Sequence, residues 1–309
     1  MNERPLLLHS LHEFWSLIEP CLDAVAPASI VEIGSEAGTF TEDLLGWAQE
    51  HGASVTAVEP WPRPIHCRLV DERGLRLIEG KSPGILKDID AFGVYVIDGD
   101  HNHWVVQAEL EHVFSQEPSP LVIMHDVAWP AARRDQYYQP EDIPAAHRQP
   151  FSYDGGAVPE EPELVPDRGF RGEGDFAYAL HEGGEANGVL TAVEEVLARR
   201  PELELLRLPC IFGLGFVFAR DAPFAAEVRR IVGPFHESDL LARLEQNRIE
   251  LFLRFIDPRG QAQRYARASP AADLVAGLQR EVESLQAEIA RLRIDLVDRT
   301  PPAQADSVA

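Results

Sequence analysis

Cysteine is scarce. Cys21, Cys67 and Cys210 are the three in 309 residues, and they stand far apart in the chain. That spacing builds neither a disulfide framework nor a cysteine metal motif, so reduced thiols and a cytoplasmic address are expected. Long apolar runs are absent too. None approaches the roughly 20 residues that span a bilayer. The first twenty residues, MNERPLLLHSLHEFWSLIEP, lack a basic flank, an apolar stretch and a small-residue cleavage site in that order, so no secretory leader is expected. They read instead as an amphipathic helix with Leu11, Phe14, Ile18 and Leu22 on one side. Positive charge is in short supply: 28 Lys and Arg face 51 Asp and Glu, a net charge of −23. Phosphate backbones need a basic surface, so neither nucleic acid nor an anionic membrane is expected as the main partner, and solubility is the plain reading of the charge.

What is present is a globular chain, 45% hydrophobic. The runs SIVEI (29–33), SVTAV (54–58), LRLI (75–78), VYVI (94–97) and LVIM (121–124) are short, apolar and mostly β-branched, as strands buried on both faces of a parallel sheet are. Helical patterns such as TFTEDLLGWAQEHG lie between them, the glycine marking a stop. Strands alternating with helices imply an α/β, doubly wound, Rossmann-like sheet. Residues 127–188 break the rhythm with Pro, Gly, acids and aromatics, and are expected to form a long functional loop, a lid beyond the carboxyl ends of the strands. A helix (GVLTAVEEVLARRP) follows, and then ELELLRL and GLGFVFA, expected as an antiparallel hairpin on the sheet edge. The organisation read from the chain is an N-terminal helix over 1–27, a core over 28–220 containing the lid, and a helical extension over 221–268. A coiled coil over 271–299 and a disordered tail over 300–309 follow. In the coil, Val275, Val282, Ile289 and Leu296 repeat by seven, with Leu278, Leu285 and Leu292 three residues on, which predicts a parallel homodimer.

Polar residues gather where the strands end. The first strand runs into VEIGSEAGTFT, with Glu32, Gly34 and Gly38 before a helix opening at Thr39. The glycines permit a tight turn and close approach of a ligand, and the helix offers free N–H groups. A nicotinamide dinucleotide with its pyrophosphate on those groups is one alternative, but the spacing is not G-x-G-x-x-G and Glu36 would oppose a pyrophosphate. Glu59 ends the second strand and can accept from a ribose diol. Trp61 either covers an adenine or packs at the loop base. The stretch YVIDGDHNHW then sets Asp98, Asp100, His101 and His103 at the mouth of the fourth strand, and His125 and Asp126 end the fifth. Asp100 is either the cap of a helix beginning near His101 or a cofactor contact. His103 points away on that helix. His101 and His125 are the candidate general bases, because imidazole titrates near neutrality.

The pattern E-x-G-x-x-x-G, with the acid at Glu59, resembles the class I S-adenosylmethionine-dependent methyltransferases. The further sequence EGKSPGIL, VYVIDGDHNHWVVQAEL, LVIMHDV resembles their group of sugar and macrolide O-methyltransferases and cephalosporin-hydroxylase relatives. Glu36 stands where that group usually has a glycine. The resemblance covers roughly 28–127 and the late hairpin. It implies a seven-stranded, mostly parallel sheet with a terminal antiparallel hairpin. It also implies S-adenosyl-L-methionine bound by Glu32, Gly34, Gly38, Thr39, Glu59, Trp61, Ser82, Asp98, Asp100 and His101. Metal-dependent members hold a divalent ion at positions matching Asp98, His125 and Asp126. Mg²⁺ suits the carboxylates, whereas His125 suits Mn²⁺ better, or else serves as the base with no metal. The implied reaction is methylation, by in-line transfer, of a small-molecule or sugar acceptor. Arg133, Arg134, Tyr137 and Asn187 of the lid are candidate acceptor contacts, with a salt bridge inside the lid as the alternative for the arginines. A catalytically silent scaffold acting through its coil is the rival outside the enzymes.

Overall fold

A computed structural model describes residues 10–267. Residues 1–9 of the expected first helix, the heptads of 271–299 and the tail of 300–309 lie outside the described residues. One compact unit ends at Arg254, and a second begins at Phe255.

A 3-10 turn over Leu11–Phe14, capped by the Ser10 hydroxyl, leads into α1 (Trp15–Val25). The alternation then runs β1 (Ser29–Ile33), α2 (Thr39–His51), β2 (Ser54–Val58), α3 (Pro64–Arg73), β3 (Arg76–Ile78), β4 (Val94–Ile97), α4 (His103–Val113) and β5 (Leu121–His125). After an insertion come α5 (Val189–Arg199), β11 (Leu203–Leu208), β12 (Leu214–Ala219), α6 (Ala225–Val232) and α7 (Asp239–Arg267). The sheet order is β11-β12-β5-β4-β1-β2-β3. β1 pairs in parallel with β2 and β4, and the parallel pairing continues to β3 and β5. β12 lies antiparallel to both β5 and β11. The fold is therefore a seven-stranded, mostly parallel, Rossmann-like sheet with an antiparallel hairpin at one edge.

Strand alternation splits the core into two layers. Ile30, Val94, Val96, Leu121 and Ile123 pack with Ile18 and Leu22 of α1, Leu44 of α2 and Val228 of α6. Val31, Ile33, Tyr95, Ile97, Val122 and Met124 pack with Val106 and Leu110 of α4 and Val193 and Val196 of α5. The central strands β4, β5 and β12 are buried on both faces, so their apolar runs are continuous, whereas the edge strands β3 and β11 are partly exposed. Asp98, His125 and Asp126 stand where β4 and β5 end.

Two sequence expectations are corrected. Helix α4 begins at His103, later than expected, and its cap is Asn102, whose Oδ1 accepts from Val105 N at 3.0 Å; Asp100 does not cap it. The stretch 127–188 is a folded insertion rather than a loop. It carries β6 (Gln136–Tyr137), β7 (Phe151–Ser152), β8 (Gly156–Val158), β9 (Glu161–Val165) and β10 (Ala177–Ala179). β10 pairs antiparallel with β6 and β7, and β8 pairs with β9. The insertion starts and finishes at one place: Val189 N donates to Ala131 O at 2.9 Å and Leu190 N to Ala132 O at 3.0 Å.

Candidate active site

The first loop is pressed against the end of β4. Gly34 has φ +83, and a Cβ on it would lie 2.4 Å from the Asp98 carbonyl oxygen, so no other residue fits. Gly38, at φ +70, precedes Thr39 at the start of α2. Glu32 is buried and accepts from the Thr41 hydroxyl at 2.6 Å. Burial pushes its carboxyl up to about 8 despite that bond. Glu59 is nearly buried and accepts from Ser35 N at 3.1 Å, Glu36 N at 3.0 Å and Trp61 N at 3.0 Å. Glu36 takes a left-handed conformation, φ +38, where a glycine would sit without strain. The Trp61 ring is half exposed, with Lys81 Nζ 5.0 Å from its centroid. Ser82 Oγ and Asp100 Oδ1 are buried without a hydrogen-bond partner among the described residues. Burial moves Asp100 up to about 6.

The four groups at the ends of β4 and β5 converge. His125 is fully committed: its Nε2 lies 2.8 Å from the Ile211 carbonyl, while Nδ1 sits 3.1 Å from Asp126 Oδ2 and 3.3 Å from Asp98 Oδ1. A carbonyl and two carboxylates only accept, so both ring nitrogens must carry protons. Burial opposes that charge, yet Asp126 and Asp98 outweigh it and hold the imidazole proton well above its ordinary range. His125 is thus a buried imidazolium between two carboxylates, with no lone pair for a proton or a metal. The expected ligand trio that includes His125 is replaced by another. Ligand atoms of Asp98, His101 and Asp126 all lie within 4.8 Å of one another.

His101 is held differently. Its Nδ1 is 3.2 Å from Asp126 Oδ2, which only accepts, so that nitrogen carries a proton. Nε2 then faces the Tyr138 hydroxyl at 3.5 Å. Asp126 itself has φ +60, a left-handed backbone that costs about 1 kcal/mol and belongs where geometry is imposed. Tyr138 comes from the insertion. Burial of its hydroxyl end, with Asp126 and Asp98 nearby, keeps the phenol protonated. From it a chain of rings runs outward through Phe176 (6.1 Å), Phe170 and Trp129.

The acceptor contacts expected in the insertion are occupied elsewhere. Arg133 pairs with Glu194 and Thr191 of α5. Arg134 is fully buried and donates to the carbonyls of Ala179, Leu180 and Pro162. Tyr137 donates to Asp135 Oδ2 at 2.6 Å. Asn187 accepts from Asp135 N and donates to the carbonyls of His181 and Gly183. Tyr137 and Asn187 share Asp135, whose Oδ1 also accepts from His103 N at 2.7 Å and Gly188 N at 2.6 Å. His103 lies buried on α4 with Nε2 3.2 Å from Glu195 Oε2, away from the cluster. Sequence reasoning did not assign Tyr138, Ser35 or His66 to the site. Tyr138 follows Tyr137 in an aromatic-rich stretch, but no local spacing marks which of the two rings faces His101.

The sequence profile of a methyltransferase domain matches residues 31–127, which span the first glycine loop to the end of β5. No curated protein matches the chain. Among solved structures, the chain is similar to the methyltransferase PaMTH1 of Podospora anserina bound to S-adenosylhomocysteine, at 15% identity over 67% of this chain and 78% of that one, TM-score 0.43. It is similar to a putative caffeoyl-CoA O-methyltransferase from Staphylococcus aureus at 15% identity over 71% and 87%, TM-score 0.42. An O-methyltransferase from Bacillus cereus in complex with S-adenosylhomocysteine gives 12% identity over 68% and 81%, TM-score 0.38. The glycine loop, the acid after the second strand and the polar cluster all fall inside the matched stretch, so the part of the chain over 31–127 that is similar to a methyltransferase domain is the part that builds the site.

Proposed function

We propose that the protein methylates a hydroxyl oxygen of a small-molecule or sugar acceptor, with His101 as general base and Asp126 as its orienting partner. The observation that carries this reading is the contrast between two imidazoles on one carboxylate: both nitrogens of His125 face acceptors, whereas His101 Nε2 meets a hydroxyl, the long 3.5 Å contact to Tyr138. S-adenosylmethionine supplies an electrophilic methyl on a sulfonium. The glycine loop, Glu59, and the unpartnered Ser82 and Asp100 oxygens fit such a cofactor, since a buried polar atom without a partner costs free energy until a ligand meets it. The residues then divide the work. His101 Nε2 takes the acceptor's hydroxyl proton. Asp126 keeps the Nδ1 proton and stabilises the imidazolium that forms, and the His125 cation balances the charge of Asp98 and Asp126. Alignment of acceptor and methyl donor contributes much of the rate in such displacements, and the insertion that carries Tyr138 would supply it.

A divalent metal is the second reading, favoured by the closeness of the Asp98, His101 and Asp126 ligand atoms. This donor set fits Mn²⁺ better than Mg²⁺ because it includes an imidazole. An ion there would polarise the acceptor oxygen, in competition with the His125 proton. The deciding experiment is methyl transfer from labelled S-adenosylmethionine to a panel of phenols and sugars, run in EDTA and with Mn²⁺. Turnover in EDTA supports the base. Turnover that requires Mn²⁺ supports the metal. Binding of S-adenosylhomocysteine without turnover on any acceptor favours the silent scaffold. Homodimerisation through 271–299 belongs to the same proposal and is checked by light scattering of the full chain.

A further inference from the structure

Glu59 sits at the end of a directed relay of hydrogen bonds that begins on α3. His66 is fully buried, and its Nδ1 accepts from Arg63 N at 2.8 Å. A backbone N–H can only donate, so Nδ1 holds a lone pair and the ring proton sits on Nε2. Nε2 lies 2.9 Å from Ser35 Oγ and therefore donates to it. The serine's own proton is then free to point at Glu59 Oε2, 3.4 Å away. Every bond in the chain from Arg63 through His66 and Ser35 runs toward the carboxylate.

The relay also limits what Glu59 can still accept. Oε2 already faces Ser35 N, Glu36 N and Ser35 Oγ, whereas Oε1 takes Trp61 N. A carboxylate offers about four lone-pair positions, so the open one is on Oε1. The Oε2 side is spent on holding a loop whose Glu36 is in a left-handed conformation. Without the Ser35 contacts, the carboxylate would keep Glu36 N and Trp61 N and lose half of the bonds that fix its orientation.

We propose that His66 is a positioning residue for the cofactor: through Ser35 it fixes Glu59 so that one oxygen is presented to a ribose hydroxyl. The proposal rests on the methyltransferase reading. A purely structural alternative exists, since His66 also closes the capping box of α3 through Arg63 N, and the test must separate the two.

The experiment is calorimetric titration with S-adenosylhomocysteine of the full-length wild type and of Ser35→Ala, His66→Phe, His66→Gln and the double variant Ser35→Ala/His66→Phe. Thermal unfolding of each confirms that it is folded. Loss of a hydrogen bond feeding a charged group is expected to weaken affinity by about tenfold or more. Ser35→Ala and His66→Phe should each show that loss. The double variant should bind no more weakly than either single one, and His66→Gln, which can accept and donate at once, should recover most of the affinity. Wild-type affinity in Ser35→Ala, or strictly additive losses in the double variant, would overturn the relay and leave His66 as a helix cap. Ser35→Ala leaves the α3 cap intact, so it keeps the question open to test even where His66→Phe does not fold. Failure of the wild type itself to bind S-adenosylhomocysteine would strike the cofactor reading and not the relay alone.

Discussion

The strand ends of the sheet and the insertion 127–188 both bury many polar side chains, but they use them in opposite ways. In the insertion the buried carboxylate and guanidinium find complements, although Trp129, Arg134, Arg171 and Tyr178 each leave one buried polar atom without a hydrogen-bond partner among the described residues. Asp135 meets Tyr137, His103 N and Gly188 N, and Arg134 meets a row of carbonyls. At the strand ends the groups are of like sign or are left short of partners: Asp98 and Asp126 share one imidazolium, and Ser82 and Asp100 keep unpartnered oxygens. Satisfied polar networks rigidify a structure. Incompletely satisfied ones mark places where a ligand completes the set. The difference lies in the supply of neighbours and not in residue type, since both regions are built from Asp, Asn, Tyr and His.

Substitutions can break this contrast. The largest effect is expected at the strand ends. His101→Ala should lower turnover by about 10²- to 10⁴-fold, the usual contribution of a general base, while the dissociation constant for S-adenosylhomocysteine changes little. A comparable loss of cofactor binding would mean that His101 holds the cofactor rather than the proton. In the insertion the corresponding blow falls on folding. Asp135→Ala leaves three buried donors without an acceptor and should cost about 3–5 kcal/mol of stability in urea unfolding. A variant as stable as the wild type would show that the insertion is not organised around this residue.

A third prediction uses pH. Glu32 and Glu109 are pushed up by burial to about 8, and His125 binds its proton far more tightly than a free imidazole, because Asp126 and Asp98 outweigh the opposing effect of burial. Groups whose folded values are raised stabilise the fold fully below their unfolded values and lose that contribution as pH climbs through the folded ones. The unfolded acids titrate near 4.5 and imidazole near 6.5. Thermal stability of the unliganded protein should therefore rise as pH falls from 8 toward 5. Glu204, held low by the hydrogen bonds from Arg229, acts only below that window. Melting curves that are flat or inverted between pH 5 and 8 would contradict the buried, protonated assignment. The smallest effect is expected at Arg133. Its pair with Glu194 is open to solvent, so Arg133→Ala should cost less than about 1 kcal/mol and leave the acceptor's KM unaltered. A large rise in KM would return Arg133 to the acceptor site.

The centre of the sheet was legible because its strands are buried on both faces: continuous runs such as SIVEI and VYVI announce themselves without reference to the rest of the chain. The insertion's strands are two to five residues long and interrupted by Gly and Pro. Periodicity cannot register there, and the stretch reads as loop. The same locality governs the site. Asp98, His101, His125 and Asp126 were visible as strand-end polar residues. Which imidazole keeps a lone pair depends on Ile211, 86 residues from His125. Arg134 and Asn187 resemble ligand-binding residues in sequence because their partners are backbone carbonyls, which every residue has and no pattern displays.

The two ends of the insertion are tied to each other where Gly188 packs against Ala132, a Cβ on Gly188 falling 2.5 Å from the Ala132 carbonyl oxygen. Such a junction makes the stretch between them an exchangeable cassette. Its length can change without moving β5 or α5, because the chain leaves and rejoins the sheet at a single point. Under the proposed function, exchange of that stretch would change the acceptor contacts and leave in place the residues proposed to hold the methyl donor.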